Sequence, residues 1–374
     1  MENIQLPYYI QLTVKLVMVF LIGFFVYVGQ AIIIPIAFSV LLAILLLPFT
    51  NFLERHHFPK VLANLVSIII ALIFIGGIVY FLSSQISGFL RDIPSIKRNL
   101  NDHYIIIQNW IQRKIHISTE SQSAMISNAA EKVKDSGSMY IGQTFLTITQ
   151  SILFIILIMV YTFFILYYRH MIKNFFFALF KKAHTPKVDE VLVESKNIIQ
   201  QYITGLLIEM VIVATVNSAV LLIIGIKYAI FFAVFAAILN LIPYVGLFIS
   251  IGFTVLITLT TSANMNSILW VIIGMEAVHF SDANFLMPKV VGSKVKINAL
   301  ISIIGVLIGA TLMGIAGIFL ALPVIAILKI IFDRVDGLQA RGMLLGDEFV
   351  VTKKTSILKH VQKLKLKKPV KAKA

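Results

Sequence analysis

A chain of 374 residues that is 59% hydrophobic and only 13% charged, at a mean hydropathy of +0.94, excludes a water-soluble exterior, since soluble domains are about one quarter charged. The lack of cysteine excludes a disulfide framework, a thiolate nucleophile and cysteine-ligated zinc or iron–sulfur centres. The formal charge of +15 does not point to nucleic acid, because nine lysines and no acid fall within Val351–Ala374 and no folded reading module accompanies them.

Apolar runs long enough to cross about 30 Å of hydrocarbon predict helical spans. The first, Leu12–Val28, is read as a retained span, since Met1–Gln11 has neither a basic leader region nor a small-residue cleavage site. It turns at Gly29-Gln30 into a second, Ala31–Phe49. A short loop, Asn51–Lys60, carries Arg55 and Lys60 and so reads as cytoplasmic, which places the N-terminus there too. A third span follows, Val61 to about Leu82. In Ser83–Gln143, Ile93, Ile96, Leu100, Tyr104, Ile107 and Ile111 recur at steps of three and four. That spacing predicts an amphipathic arm outside the cytoplasm, lying on the membrane or on a neighbouring subunit. A fourth span, Ile148–Tyr168, returns the chain to Arg169, Lys173, Lys181, Lys182 and Lys187 inside. Thr185-Pro186 starts a helix that leads into a fifth span, Ile203–Ile224.

Two later stretches are too long for one ordinary span and are interrupted. Ala229–Thr261 is broken by Asn240, Pro243 and Gly246, and Ala299–Phe332 around Gly314 and Gly317. Between them lies a sixth span, Ile268–Leu286, then a basic loop with Lys289, Lys294 and Lys296. If both stretches are helical hairpins, that loop and the C-terminal tail are both cytoplasmic, as their charge requires. Interrupted segments entering from opposite faces are also the pattern of transporters with a midplane site. The predicted fold is thus an all-α integral membrane protein with six full spans, two broken hairpins and an extracytoplasmic helical arm, about eight apolar segments in all. Its units are 1–82, the arm 83–145, a transport core 146–332 and a basic cytoplasmic tail 333–374. In the tail, Ile357, Leu358, Val361 and Leu364 form a helical stripe, which suits a surface helix held by anionic headgroups as well as it suits a solvated tail.

An ionisable side chain at bilayer depth is costly and normally faces a partner, a cavity or a solute route. The candidates are Glu209, Asn240, Glu276, His279, Asp282 and Asn284. Glu276, His279 and Asp282 follow at three-residue steps, a slowly rotating stripe that could relay protons or hold a cation. Asp282 and Asn240 sit beside backbone breaks, where freed carbonyls and amides can bind a solute. The plainer readings are that Glu209 snorkels to cytoplasmic headgroups, that Asp282 and Asn284 cap a helix end and that His279 packs. Gly305 and Gly309 form a small-xxx-small pair suited to close helix packing. His56-His57 lacks further ligands, so no metal is expected, and no cofactor or ATP-binding motif is found.

The segments PIAFSVLLAILLLPFTNFLE (Pro35–Glu54), LNLIPYVG (Leu239–Gly246), DANFLMPKVVG (Asp282–Gly292) and GIFLALPVIAILK (Gly317–Lys329) resemble, in order and spacing, the autoinducer-2 exporter family of bacterial membrane proteins. Asp282 stands where that family commonly has Glu, and Leu247 where Pro is frequent. The resemblance implies a transport protein of the bacterial inner membrane, not an enzyme, and a homo-oligomer. It implies either autoinducer-2 export or sodium–proton antiport. A non-transporting scaffold acting through the arm is the alternative of another class.

Overall fold

A computed structural model describes residues 7–115, 152–180, 184–241, 245–261, 266–292, 297–335 and 337–346, with 89–115, 245, 260, 291 and 292 as backbone only. The arm beyond residue 115, Pro243 and the lysine-rich tail therefore lie outside the described residues. The described residues form helices: α1 (Tyr8–Val28), α2 (Gln30–Arg55), α3 (Lys60–Ile115), α4 (Ile152–Tyr167), α5 (Arg169–Leu179), α6 (Thr185–Ile224), α7 (Ala229–Leu239), α8 (Val245–Thr261), α9 (Asn266–Ser281), α10 (Ala299–Arg334) and α11 (Gln339–Leu345).

Five of these helices, α1, α2, the first 29 residues of α3, α6 and α10, are long and apolar enough to cross a bilayer. The pair α4–α5 makes a sixth candidate bent by 68°. Two boundaries differ from the sequence reading. The third span, expected to end near Leu82, runs on without a break as α3, 56 residues in all and about 84 Å at 1.5 Å per residue, so it projects far beyond a bilayer. Its serines do not break it because they bond within the helix, Ser84 Oγ donating to Phe81 O at 2.7 Å and Ser87 Oγ to Ser83 O at 3.0 Å. The sixth expected span is α-helical for only 16 residues, and past Ser281 the chain widens into π-helical turns over Asp282–Leu286 and Pro288–Gly292.

Helix α7 ends at Asn240, and α8 lies back against it, with Phe253 6 Å or less from both Phe232 (5.8 Å) and Phe235 (5.5 Å). Although α10 has a single 36-residue assignment, Met313 and Gly314 leave helical geometry, Gly314 at φ 59° and ψ −140°. Side chains built at Gly305 and Gly309 would strike Ile325 and the backbone of Gly317. Residues so far apart in a straight helix cannot touch, so 299–312 and 315–334 run antiparallel. Gly317, expected at the break, is instead a helical contact residue packed against Gly309.

Helix α6 is the spine. Its N-terminal half packs Ile199, Ile203 and Leu206 with Leu41 of α2 and Leu320 of α10. Its C-terminal end packs Leu221 with Phe232, Ile257, Val271 and Met275 of α7, α8 and α9. Interhelical hydroxyl bonds hold the first spans, Ser39 to Ile158 O at 2.9 Å and Thr50 to Ser67 at 2.9 Å.

Ion pairs tie the helix ends: Arg169 to Glu54 at 2.6 Å, Lys173 to Asp189 at 2.8 Å, and Arg334 to both Glu190 and Glu194. Asn298 caps α10 through Ile301 N and donates to Leu344 O and Gly346 O, which brings the two ends of the α10 hairpin to one side. The Arg334 pairs are more than a third exposed, so Arg334→Ala is expected to cost at most about 1 kcal/mol and to cost less in high salt. Thermal melts in low and high salt check this.

Candidate functional site

Between the two apolar clusters on α6 lies a polar one. Glu209 is 5% exposed and falls in phase with Tyr202, Leu206, Val213, Asn217 and Leu221, the buried stripe of α6. Asp282, also 5% exposed, continues the buried face of α9 that runs through Val271, Met275 and Val278. Asn240 comes from a third element. Its backbone N–H still donates to Ala236 O, but the helix stops there and its side chain is free to reach out. Gly246 permits this turn: a Cβ there would lie 1.9 Å from Leu239 O and 3.1 Å from Asn240 N.

The three side chains meet. Asn240 Nδ2 donates to Asp282 Oδ2 at 2.8 Å and to Glu209 Oε1 at 3.2 Å. One neutral amide thus bridges two buried carboxylates. The remaining oxygens, Glu209 Oε2 and Asp282 Oδ1, are buried without a protein partner, as is Asn217 Oδ1 two turns along α6. An amide oxygen and ionised carboxylate oxygens are acceptors, so what satisfies them is a proton shared between the two carboxyl groups, another hydrogen-bond donor or a positive charge. No Lys or Arg among the described residues pairs with either carboxylate.

Two spaces adjoin Asp282. A small one of about 20 Å³, the size of one water, is lined by Asn217, Asn240, Ser250, His279 and Asp282. A larger groove of about 480 Å³ runs between α6 and α9 and is chiefly apolar.

Not every expected site residue joins the cluster. Glu209, a site candidate whose plainer reading is snorkelling to headgroups, is at its centre, because it belongs to the buried stripe of α6. Glu276 is exposed, and among the described residues no three His, Asp or Glu side chains are arranged to hold a metal ion. Each three-residue step falls about 60° short of a full turn, so Glu276 lies about 120° from Asp282 around the helix axis. His279, between them, is half-buried and reaches the small space. Asn284 is exposed and donates to Phe280 O at 2.8 Å, away from the carboxylates. Asn217 and Ser250 complete the lining; Asn217 was legible as a polar residue in register with Glu209, whereas nothing in its sequence context marks Ser250.

A family model for AI-2E family transporters matches residues 16–337, which takes in every helix of the site. The chain belongs to the AI-2E transporter family. YrrI of Bacillus subtilis (strain 168) is 25% identical over 308 residues, covering 80% of this chain and 86% of that protein. YueF of the same organism is 26% identical over 316 residues, 80% and 82% of the two chains. TqsA of Escherichia coli (strain K12), named an AI-2 transport protein, is 22% identical over 319 residues, 84% and 90%. This AI-2E transporter is therefore a multi-pass membrane protein with a transport role.

Proposed function

We propose that the protein is a secondary transporter that moves a small polar solute or signal molecule across the bacterial inner membrane without ATP hydrolysis. The Glu209–Asn240–Asp282 cluster binds the solute or its coupling cation. The observation that carries this reading is the bridging of two buried carboxylates by one amide at the end of a broken helix. Holding two such charges away from water is costly, and the cost is tolerated where ionisation or binding does work. The hairpins α7–α8 and α10 enter the membrane from opposite faces, with both termini cytoplasmic. Around them the chain assembles as a homo-oligomer, and its lysine-rich tail meets anionic headgroups. Autoinducer-2, which the name of TqsA gives as that protein's cargo, is the first solute to try.

The test is reconstitution into ATP-free liposomes with imposed proton or sodium gradients and a panel of solutes that includes autoinducer-2. Gradient-dependent flux of any of them is the expected result. No flux under any gradient, from protein that melts cooperatively, would contradict the proposal.

A further inference from the structure

The groove between α6 and α9 has a wall of Val213, Val216 and Val220 on one side and Ala277 and Val278 on the other, and it reaches Asp282. At one end Gly274 closes on Val220, where a Cβ would sit 2.6 Å from the valine Cγ1. Lys289, exposed, stands in the lining beyond Asp282. An apolar groove with a carboxylate part-way along its lining describes its occupant: an apolar body with a donor or cationic group that can reach Asp282.

The charge around Asp282 narrows this. Glu209 faces it from α6, Asn240 from α7 and His279 from its own helix. Two carboxylates share one amide, and Asp282 Oδ1, in a residue 5% exposed, has no protein partner. A phosphate-bearing lipid headgroup would be repelled there, whereas an ammonium or phosphonium group would be attracted at low dielectric. We infer that the solute of this transporter is an amphipathic organic cation, its charged head at Asp282 and its apolar body in the α6–α9 groove. This rests on the transport reading above and names its solute class. Lys289, beyond Asp282 in the same lining, opposes the cationic head there.

The probe is radiolabelled tetraphenylphosphonium, with tetraphenylborate as the anion of the same shape, bound at equilibrium to the purified full chain in detergent. Saturable binding of the cation alone is expected. Asp282→Asn should weaken it by about tenfold or more, the ratio for one lost charge contact of about 1.4 kcal/mol. Val216→Trp, which fills the groove, should abolish it, and Lys289→Gln should tighten it. Ala277→Leu, on the opposite wall, should also weaken it, and serves if the tryptophan variant does not fold. Cooperative melting of each variant is the control for folding. Equal binding of cation and anion, or cation binding untouched by Asp282→Asn and by both groove variants, would overturn the inference and indicate a lipid-tail groove. Gradient-driven flux of another solute without saturable cation binding overturns the inference and leaves the transport reading standing. Binding lost as expected, but with no gradient-driven flux, supports the site and removes the transport reading.

Discussion

Replacing Gly317 with valine is expected to prevent the α10 hairpin from closing and to abolish recovery of folded, monodisperse protein. A Cβ at Gly317 would lie 1.9 Å from the carbonyl oxygen of Gly309 and 2.5 Å from its carbon, and one at Gly309 would lie 2.3 Å from Gly317 O. Backbone meets backbone here, so no side chain can swing aside. The loss therefore exceeds the about 1–3 kcal/mol typical of an overpacked core. Gly309→Val should fail in the same way. Gly252, inside α8 with nothing within 4 Å of its would-be Cβ, is the control. Gly252→Ala should be neutral or stabilising by up to about 1 kcal/mol, the helix-propensity difference. Detergent extraction followed by size exclusion and thermal melting measures all three. A Gly317→Val protein that melts like the wild type would mean that the α10 arms do not pack as described.

The same glycines show what the sequence could and could not carry. Gly305 and Gly309 announce close packing, but not against what. Only the reversal at Met313 and Gly314 makes the partner the other half of the same helix. The apolar runs locate α1, α2, α4 and α6, because length and hydropathy suffice for a lipid-facing helix. They do not locate the end of α3, whose apolar character fades while the helix continues. The π-helical turns after Ser281 are also not read from the sequence, where the sixth span is carried straight on to Leu286. Asn240 and Asp282 were legible from the breaks beside them. For Glu209 the sequence left a site role and a snorkelling role both open, because depth along the helix was weighed and register with Leu206 and Val213 was not.

The second large effect belongs to the carboxylate cluster. Asn240→Ala removes the one donor shared by Glu209 and Asp282 and leaves two buried carboxylates without it. Breaking a buried charged contact costs about 3–5 kcal/mol, so the melting temperature should fall with the flux. Asp282→Asn removes a buried charge and keeps the shape, so stability should hold or rise while transport falls, the trade expected where a binding site is strained. Flux in the single variants Asp282→Asn and Glu209→Gln should drop about 10- to 100-fold, the scale of one lost charged hydrogen bond at about 1.5–3 kcal/mol. The double variant should be little worse than either, because the two act through one amide. Glu276→Gln and Asn284→Ala, both exposed and outside the cluster, should transport normally. Additive losses, or a loss at Glu276 as large as at Asp282, would separate the carboxylates into independent sites.

Gradient-driven flux compared between wild type and Asp282→Asn, in ATP-free liposomes at equal reconstituted amounts of folded protein, tests the central claim most directly. Flux that follows the imposed gradient in the wild type and falls about 10- to 100-fold in Asp282→Asn, with melting unchanged or raised, is the expected result. Undiminished gradient-driven flux in Asp282→Asn would contradict it, because the bridged carboxylates would then lie off the path that the solute or its coupling cation takes.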